Sequence, residues 1–548
     1  MGSAGARPSR GRQLQSPFSS LLRTNTAPSD GECKAIRQFL SGLEGNLAAL
    51  TDEIARMQSV QRDLTDQCPS LREAIDAHKA LLSVSRQLPE DVVRVIFLDC
   101  LPAGNAVMTS REAPLLLAQV CTSWRRIAFS TPRLWSALHV VVPNTSRFRQ
   151  MTGAVDAWLT RSGALPLSIT LAVSRACEPG SDNIATMIDV LANFSTRWQR
   201  VKITLSPRTI LTPLTNLQPS DVPMLESITF KAMGNDTWQN LVTAVDIPWR
   251  RFRFLQTPAL RSASLGSLGG NILATPLPWP LLHTLSLTAG NLKDSDSFEL
   301  TTSATLLILR LCSNLVSCTI CITPQRTSLG DDADCPVIQL PWLTQLTIDN
   351  REYSQTNTIS LFRPLLVPAL KRLAYRGAKY EDNCPFVPLL SNIRALDSIS
   401  VDVDDLTMKG FLHCVELLPC ITQFRIEGGD AWSKAQRGRD TPLATANEIL
   451  RFLTPALAGD CPAPTLRELR VDCCHPLADD VLLNFIQLRK EAGYPIRLVD
   501  VVFVRQMEFD VIPYLKEAVA EGLDISLKYA PTPVLPAYSP WEGLDDMA

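Results

Sequence analysis

The sequence predicts an α/β protein in which helices come first and a repeating series of short strands follows. Two observations lead to this prediction. Over residues 36–138 apolar residues recur at helical spacing. After Val142 an apolar residue is repeatedly followed by apolar residues three and five places later, as in Leu225, Ile228 and Phe230. Stretches with helical spacing separate these units, so strands alternate with helices or loops through most of the chain.

The composition is typical of a globular protein. The chain has 548 residues, of which 45% are hydrophobic and 20% charged, and its formal net charge is -2. Near-neutral charge argues against a nucleic-acid partner, which would need a basic face. No apolar run reaches the roughly 18 residues of a membrane helix, so no membrane partner is expected. The cysteines follow no regular framework and no secretory apolar region is present, which predicts reduced thiols and a cytoplasmic or nuclear location.

The first elements are a tail and a heptad-patterned helical segment. Residues 1–30 are predicted to be disordered, because Pro8, Pro17 and Pro28 interrupt any amphipathic helix there. Residues 31–86 are predicted to be helical, because apolar residues follow alternating steps of four and three. This heptad seam consists of Ile36, Leu40, Leu43, Leu47, Leu50, Ile54, Met57, Leu64, Leu71, Ile75 and Leu82, with Gln61, Cys68 and His78 in its remaining positions.

Pro69 lies inside the heptad pattern. It would break a single long helix, but it could also occupy the first turn of a second helix. Two alternatives therefore stay open. Either two helices fold together as a hairpin, or one coil associates with a second copy of the chain through residues 31–86.

Residues 87–140 predict three short helices. Glu90 and Asp91 directly follow Pro89, and this order suits a helix N-terminus. A polar segment separates the first apolar run from the second, and a third short run closes the unit. Three helices this apolar bury each other only partly, so we expect them to leave a face for a partner.

A series of short motifs runs through this region. In order, they are Leu88-Pro89, Asp91, Val92-Val93, Ile96-Phe97, Leu101-Pro102, Val120-Cys121, Trp124-Arg125 and Leu134-Trp135. These motifs resemble those of the F-box family. The resemblance is greatest to F-box proteins of mushroom-type fungi and covers Leu71 to Val142. The segment from Ala103 to Ala113 is longer than in a compact F-box.

The resemblance implies a substrate receptor of an SCF-type ubiquitin ligase. In such a complex the F-box binds a Skp-family adaptor, the adaptor bridges to a cullin, and other subunits carry the chemistry. We therefore expect no catalytic residue, metal or cofactor. The alternative is a non-catalytic scaffold whose helices cap the first repeat. The adaptor-binding residues that the resemblance implies are Leu88, Pro89, Asp91, Val92, Val93, Ile96, Phe97, Leu101, Pro102, Val120, Cys121, Trp124, Leu134 and Trp135.

Residues 141–530 carry the repeated strand pattern. A proline commonly precedes each unit by two places, which predicts a turn followed by a short strand. The pattern resembles divergent leucine-rich repeats, and this resemblance implies an irregular solenoid, a right-handed α/β horseshoe. A non-repetitive α/β domain is the alternative. Clear units begin at Leu225, Leu282, Leu343, Leu370, Leu396, Ile421 and Leu466, and weaker ones at Trp198, Leu260 and Leu315.

The residues that alternate with the buried ones would line the concave face of such a solenoid. In the early units they are Ser and Thr, whereas in the later units they are charged with mixed signs. Mixed charge favours a protein partner over nucleic acid, so we predict an unidentified target protein there. A solvated surface with internal ion pairs is the alternative. The predicted target-binding residues are Arg372, Arg376, Asp402, Arg425, Glu427, Glu468, Arg470 and Asp472.

The remaining features do not predict chemistry. Residues 531–548 are Pro-rich and predicted to be a flexible tail, in which Trp541 would be the anchor if the tail folds over the repeats. The C-x-x-C at Cys318 and Cys321 lies in a strand-like run without a partner pair, and Cys473 to His475 follow a strand, so both read as structural. No phosphate-binding loop or nucleophile motif is present.

Overall fold

A computed structural model describes two compact units, Met1–Val92 and Val93–Ala548. Over the described residues the protein is mixed α/β. Residues 531–548 and the segment from Cys473 to His475 lie outside them. The described residues are 16–25, 27–82, 84–142, 148–173, 182–205, 211–232, 249–266, 272–288, 300–322, 336–350, 361–376, 386–390, 393, 396–402, 407–418, 420–427, 445–455, 461–472, 477–503 and 505–529.

The first unit consists mainly of one long helix, α1 (Asp30–Leu81), followed by the single turn α2 (Val84–Gln87). Ser29 begins α1 with a capping box, in which its backbone N–H donates to Glu32 Oε2 over 2.9 Å and its hydroxyl accepts from the Glu32 N–H. A short 3-10 helix (Leu21–Arg23) lies within the segment predicted to be a disordered tail.

Pro69 does not divide the heptad segment. Helix α1 runs for 52 residues with Pro69 in its interior, so the predicted hairpin alternative is wrong. Pro69 removes only one backbone donor, and the hydrogen bonds of the turns on either side maintain the helix. The coil that associates with a second copy remains as a prediction.

The second unit begins at Val93, inside α3 (Glu90–Asp99). Short 3-10 turns, of which Pro132–Trp135 is used below, connect several elements. The further helices are α4 (Leu117–Val120), α5 (Thr122–Phe129), α6 (Phe148–Arg161), α7 (Asp182–Ala192), α8 (Thr212–Thr215), α9 (Thr302–Leu311), α10 (Val387–Leu390), α11 (Met408–Glu416), α12 (Ala446–Leu453), α13 (Asp479–Glu491) and α14 (Lys516–Ala520).

The strands follow one another in space in nearly the order of the chain. Of the strands in the described residues, fourteen form one parallel sheet in which each strand pairs with its neighbour in that order, and β8 and β10 form a separate parallel pair. The strands are β1 (Ala137–Val142), β2 (Leu167–Val173), β3 (Trp198–Leu205), β4 (Ser227–Ala232), β5 (Ser262–Gly266), β6 (Thr284–Thr288), β7 (Ser317–Ile322), β8 (Ile338–Gln339), β9 (Gln345–Asn350), β10 (Leu365–Leu366), β11 (Arg372–Arg376), β12 (Ser398–Asp402), β13 (Gln423–Glu427), β14 (Glu468–Asp472), β15 (Leu498–Phe503) and β16 (Asp524–Tyr529).

Each predicted strand unit is confirmed as a strand of the large sheet. In the unit that begins at Leu225, Leu225 is buried before the strand, and Ile228 and Phe230 are buried within it. The register carries these positions across the sheet, since Ile228 lies opposite Ala263 of β5. Buried side chains therefore form continuous rows beneath the sheet. Strands β1, β2, β15 and β16 were not among the predicted units.

The helices between strands bury an apolar face against this core. Helix α12 shows why one forms at its place in the chain. Thr445 and Glu448 make a capping box at its start, and Ile449, Leu450 and Leu453 are buried. Neighbouring helices also contact one another: α6 contacts α7, and α12 contacts α13. The prediction that stretches with helical spacing separate strand units is confirmed at α12 and α13.

Candidate functional site

The F-box-like helices of the second unit have an aromatic interior. Phe97 of α3 is fully buried, and its ring meets Trp124 of α5 edge-on at 5.0 Å between centroids. Val93, one turn before Phe97, is 3% exposed and lies on the same side of α3. These contacts use the apolar residues that the spacing of α3 places on its inner face.

Two polar contacts fix the turn between α4 and α5. Cys121 has extended backbone angles at the start of α5, and its Sγ accepts a hydrogen bond from the Trp124 N–H over 3.4 Å. Arg125 Nε donates to the Ala118 carbonyl over 2.8 Å. Cys121, predicted to bind an adaptor, therefore caps a helix.

Trp135 joins the helices to the sheet. It is fully buried, meets Trp158 of α6 edge-on at 4.8 Å, and donates its indole N–H to the Ala128 carbonyl over 2.9 Å. The Arg161 guanidinium lies 5.1 Å from its ring centroid. Strand β1 begins two residues later. The helices and the first strand therefore share one core.

The polar segment from Ala103 to Ala113 has a structural role. Val107 forms a parallel bridge with His139 of β1, and the His139 N–H donates to the Ala106 carbonyl over 2.8 Å. The Asn105 amide nitrogen donates to Thr170 Oγ1 of β2 over 2.8 Å. This segment lies along the first edge of the sheet, which accounts for its extra length.

Exposure divides the motif residues into interior and surface. The buried ones have almost no surface to offer a partner, whereas the exposed ones remain available. Exposed are Pro89, Asp91, Val92, Ile96, Val120 and Cys121; half-buried are Leu88, Leu101, Pro102 and Trp124; buried are Val93, Phe97, Leu134 and Trp135.

In the described part of the second unit, α3, α4 and the turn before α4 carry four exposed aliphatic side chains, and we call them the aliphatic set: Val95, Ile96, Leu116 and Val120. They are 58%, 40%, 45% and 58% exposed, respectively. Val95 and Leu116 were not among the predicted adaptor residues. Their exposure depends on how α3 and α4 pack, so helical spacing alone could not single them out.

The charged residues of the later strands form an ion-pair network. Arg376 of β11 and Arg425 of β13 both contact Glu427, which is 7% exposed, and the Arg425 Nε lies 3.1 Å from Glu427 Oε1. Arg425 also pairs with Asp472 of β14. These side chains satisfy one another, as the alternative of internal ion pairs predicted.

Among the described side chains, Arg372, Glu468 and Arg470 lie outside this network. Arg372 and Arg470 are exposed, and within the described part of the chain neither makes an ion pair or a side-chain hydrogen bond. Arg470 lies beside Arg425 in the register and Asp402 lies beside Glu427, while Glu468 is half-buried. The two free guanidinium groups are the sites on these strands best suited to a carboxylate or phosphate.

Sequence reasoning missed Asp500 of β15. Its backbone lies beside Arg470 in the register, and its Oδ1 atom is shielded from solvent without a hydrogen-bond partner in the described residues. The signal was present, because Asp500 alternates with the buried Val499 and Val501. Asp500 therefore adds an acceptor beside the free Arg470.

The cysteines of the early sheet are structural. Cys318 and Cys321 are both buried, but they are three positions apart along β7, so their side chains point to opposite faces of the strand. Burial raises the pKa of the nearby Cys312 thiol to about 12, and it also raises the pKa of Cys318. Within the described ranges no cluster of three or more His, Cys, Asp or Glu could hold a metal.

Comparisons with known proteins add no assignment. No protein-family model matches the chain, and no curated protein shows significant sequence similarity to it. Among the described helices none combines the length and apolar character of a membrane span.

Proposed function

We propose that this protein is a non-catalytic substrate receptor of an SCF-type ubiquitin ligase, with an F-box that binds a Skp-family adaptor and a leucine-rich-repeat solenoid that binds a target protein. The observation that carries the proposal is the aliphatic set, four exposed aliphatic side chains in the same region as the F-box-like motifs. An adaptor would bury them, and because each side chain is only about half exposed, its burial would stabilise a complex by about 1 kcal/mol.

The two halves of the second unit support different parts of the proposal. Trp135 places the F-box-like helices and β1 in one shared core. These helices would therefore hold an adaptor in a fixed orientation to the sheet. The parallel sheet in chain order, with a strand at every predicted repeat, supports a solenoid of divergent leucine-rich repeats. The adaptor would bridge to a cullin, and Arg372 and Arg470 would contact acidic or phosphorylated groups of the target.

Co-purification tests the adaptor interaction. The full chain is produced together with a recombinant Skp-family adaptor of a mushroom-type fungus, and a tag on one protein is used to capture the other. We expect a stable complex with the unaltered chain. Ile96→Asp and Val120→Asp should each reduce adaptor capture by about tenfold or more, because a carboxylate would be buried in an apolar interface.

A matched control separates binding from folding. Leu307 of α9 is 50% exposed, similar to Ile96, so Leu307→Asp should leave adaptor capture unchanged. All three variants should unfold in urea within about 1 kcal/mol of the unaltered chain, because the replaced side chains are exposed. No capture by the unaltered chain would overturn the ligase proposal. Normal capture by both variants would remove the aliphatic set from the interface.

A scaffold whose helices only cap the sheet is the second candidate. The bridge between Val107 and His139 favours it, because the F-box-like region covers the first sheet edge. Capping requires buried residues such as Trp135 and does not require Ile96 or Val120. The receptor function therefore requires the aliphatic set, whereas the scaffold function does not. The co-purification above distinguishes the two.

A further inference from the structure

Helix α1 leaves its heptad seam exposed. Leu47, Leu50, Leu64 and Leu71 are 67%, 63%, 59% and 60% exposed, respectively. At 1.5 Å per residue a helix of this length extends about 78 Å. Monomeric proteins rarely leave an apolar stripe of that length in water, and helices draw most of their stability from packing an apolar face.

We propose that α1 of a second copy of the chain covers this seam, in a parallel, in-register, two-stranded coiled coil. Between Leu50 and Ile75 the core positions of the heptad favour two strands, because Ile54 and Ile75 occupy position a, while Leu50, Leu64 and Leu71 occupy position d. The continuity of α1 through Pro69 provides an uninterrupted seam for such a partner.

The polar residues on the seam favour a second copy in parallel register. In that arrangement Gln61 meets Gln61 of the other chain, and each amide both donates and accepts a hydrogen bond. His78 likewise meets His78. In an antiparallel arrangement with full overlap, Gln61 would face Met57 and His78 would face Leu40. Each buried polar group would then lack a partner, at a cost of about 1–3 kcal/mol.

The residues that flank the seam are compatible with this pairing. In a parallel dimer Glu53 lies beside Gln58 of the other chain, and Gln67 lies beside Arg72, so these pairs bring no like charges together. Pro69 follows the seam residue Cys68 and occupies an outward heptad position. Parallel register places the missing proline hydrogen bond at the same level in both chains, so any bend is shared.

Light scattering on the full chain tests the dimer. At micromolar concentration we expect twice the chain mass of 60.4 kDa. The double variant Leu50→Glu/Leu64→Glu should weaken the dimer by at least about 100-fold, because it would bury four glutamates between the chains. The matched control Ala49→Glu/Ala55→Glu adds the same charges to the same helix outside the seam and should remain dimeric.

Oxidative cross-linking tests the orientation without altering the hydrophobic seam. Cys33 lies on the same heptad row as Cys68, so the experiment is done in a Cys33→Ser background. In parallel register the two Cys68 residues lie at one level, near the Cα separation of up to about 7 Å that a disulfide needs. In the antiparallel arrangement they are about 27 Å apart along the axis.

The outcomes separate the possibilities. A covalent dimer that Cys68→Ser abolishes supports the parallel coil. A monomeric unaltered chain overturns the inference, as does a dimer that the Leu50→Glu/Leu64→Glu change leaves intact. A dimer without the Cys68 cross-link overturns the parallel orientation. The inference does not depend on the proposed ligase role, because adaptor capture is measured separately.

Discussion

The aliphatic set on the helices and the charged residues of the later strands would bind their partners by different physics. An apolar surface gains free energy when water leaves it, so a residue contributes in proportion to its exposed area. A charged residue contributes only if its charge is not already neutralised, and Arg425 is neutralised by Glu427 and Asp472. Exposure therefore identifies candidate binding residues on the helices. On the strands, the candidates are the charged residues that make no ion pair within the described residues.

The largest expected effect concerns interior motif residues of the helices. Trp135→Ala should lower the free energy of unfolding by about 3–5 kcal/mol, because it removes a fully buried ring that packs on Trp158. Ile96→Ala should cost about 1 kcal/mol or less, since Ile96 is 40% exposed. Urea unfolding of the two variants gives both values. Equal losses would contradict the division of the motif into interior and surface.

The next effect concerns a charge that holds the fold together. Asp479 is 2% exposed and accepts hydrogen bonds from Arg505, at 2.7 Å and 3.1 Å, and from the Phe509 backbone N–H at 3.0 Å. Burial alone would raise the pKa of this carboxyl, but these donors outweigh it and lower the pKa. Asp479→Asn should cost about 3 kcal/mol at neutral pH, because it removes the buried charge partner of Arg505 and leaves only the more distant and exposed Glu508.

The pH dependence of this effect has a defined sign. A carboxyl with a lowered pKa in the folded state stabilises the protein above its ordinary pKa, and this contribution is lost as the pH falls through the folded-state pKa. The difference in unfolding free energy between the unaltered chain and Asp479→Asn should therefore shrink below about pH 5. A difference that stays constant down to pH 2 would contradict the ionised state of Asp479.

The strands were largely predictable from the sequence, and the exceptions have physical reasons. Trp135, Leu138 and Val140 follow the three-and-five spacing of the repeats. Because Trp135 was assigned to the end of the F-box-like motif, strand β1 was not predicted. In β2 a proline, Pro166, stands where the first apolar residue would be. In β16 Ile525 and Leu527 lie opposite Val499 and Val501, and Gly522 stands where the first apolar residue would be. Repeat spacing thus misses the irregular units at β2 and β16, whereas β15 follows it through Ile496, Val499 and Val501 and was overlooked.

The candidate sites were less predictable, because they depend on side chains far apart in sequence. Alternation along a strand placed Arg425 and Asp472 on the polar side of the sheet, but not their mutual ion pair, which links residues 47 positions apart. Helical spacing likewise could not show that Phe97 faces Trp124 while Ile96 faces outward. The sequence pattern predicted Ile96, Val120, Arg372 and Arg470, whereas Val95, Leu116 and Asp500 were identified only from tertiary packing.

The smallest effect on stability should accompany the most specific effect on binding. Arg372→Glu/Arg470→Glu should change the free energy of unfolding by less than about 0.5 kcal/mol, because both side chains are exposed and outside the ion-pair network. Pull-down of cell proteins with the unaltered chain and quantitative mass spectrometry identify the bound targets. The double variant should then lose those targets, while the adaptor remains bound.

Arg425→Glu is the matched comparison for this pair. It places a third carboxylate beside Glu427 and Asp472, so it should lower stability as well as binding. A double variant that retains every target would show that the free guanidinium groups are only a solvated surface. Loss of targets with Arg425→Glu alone would instead indicate that the network holds the strands in the shape a target needs, because the free arginines are unchanged in that variant.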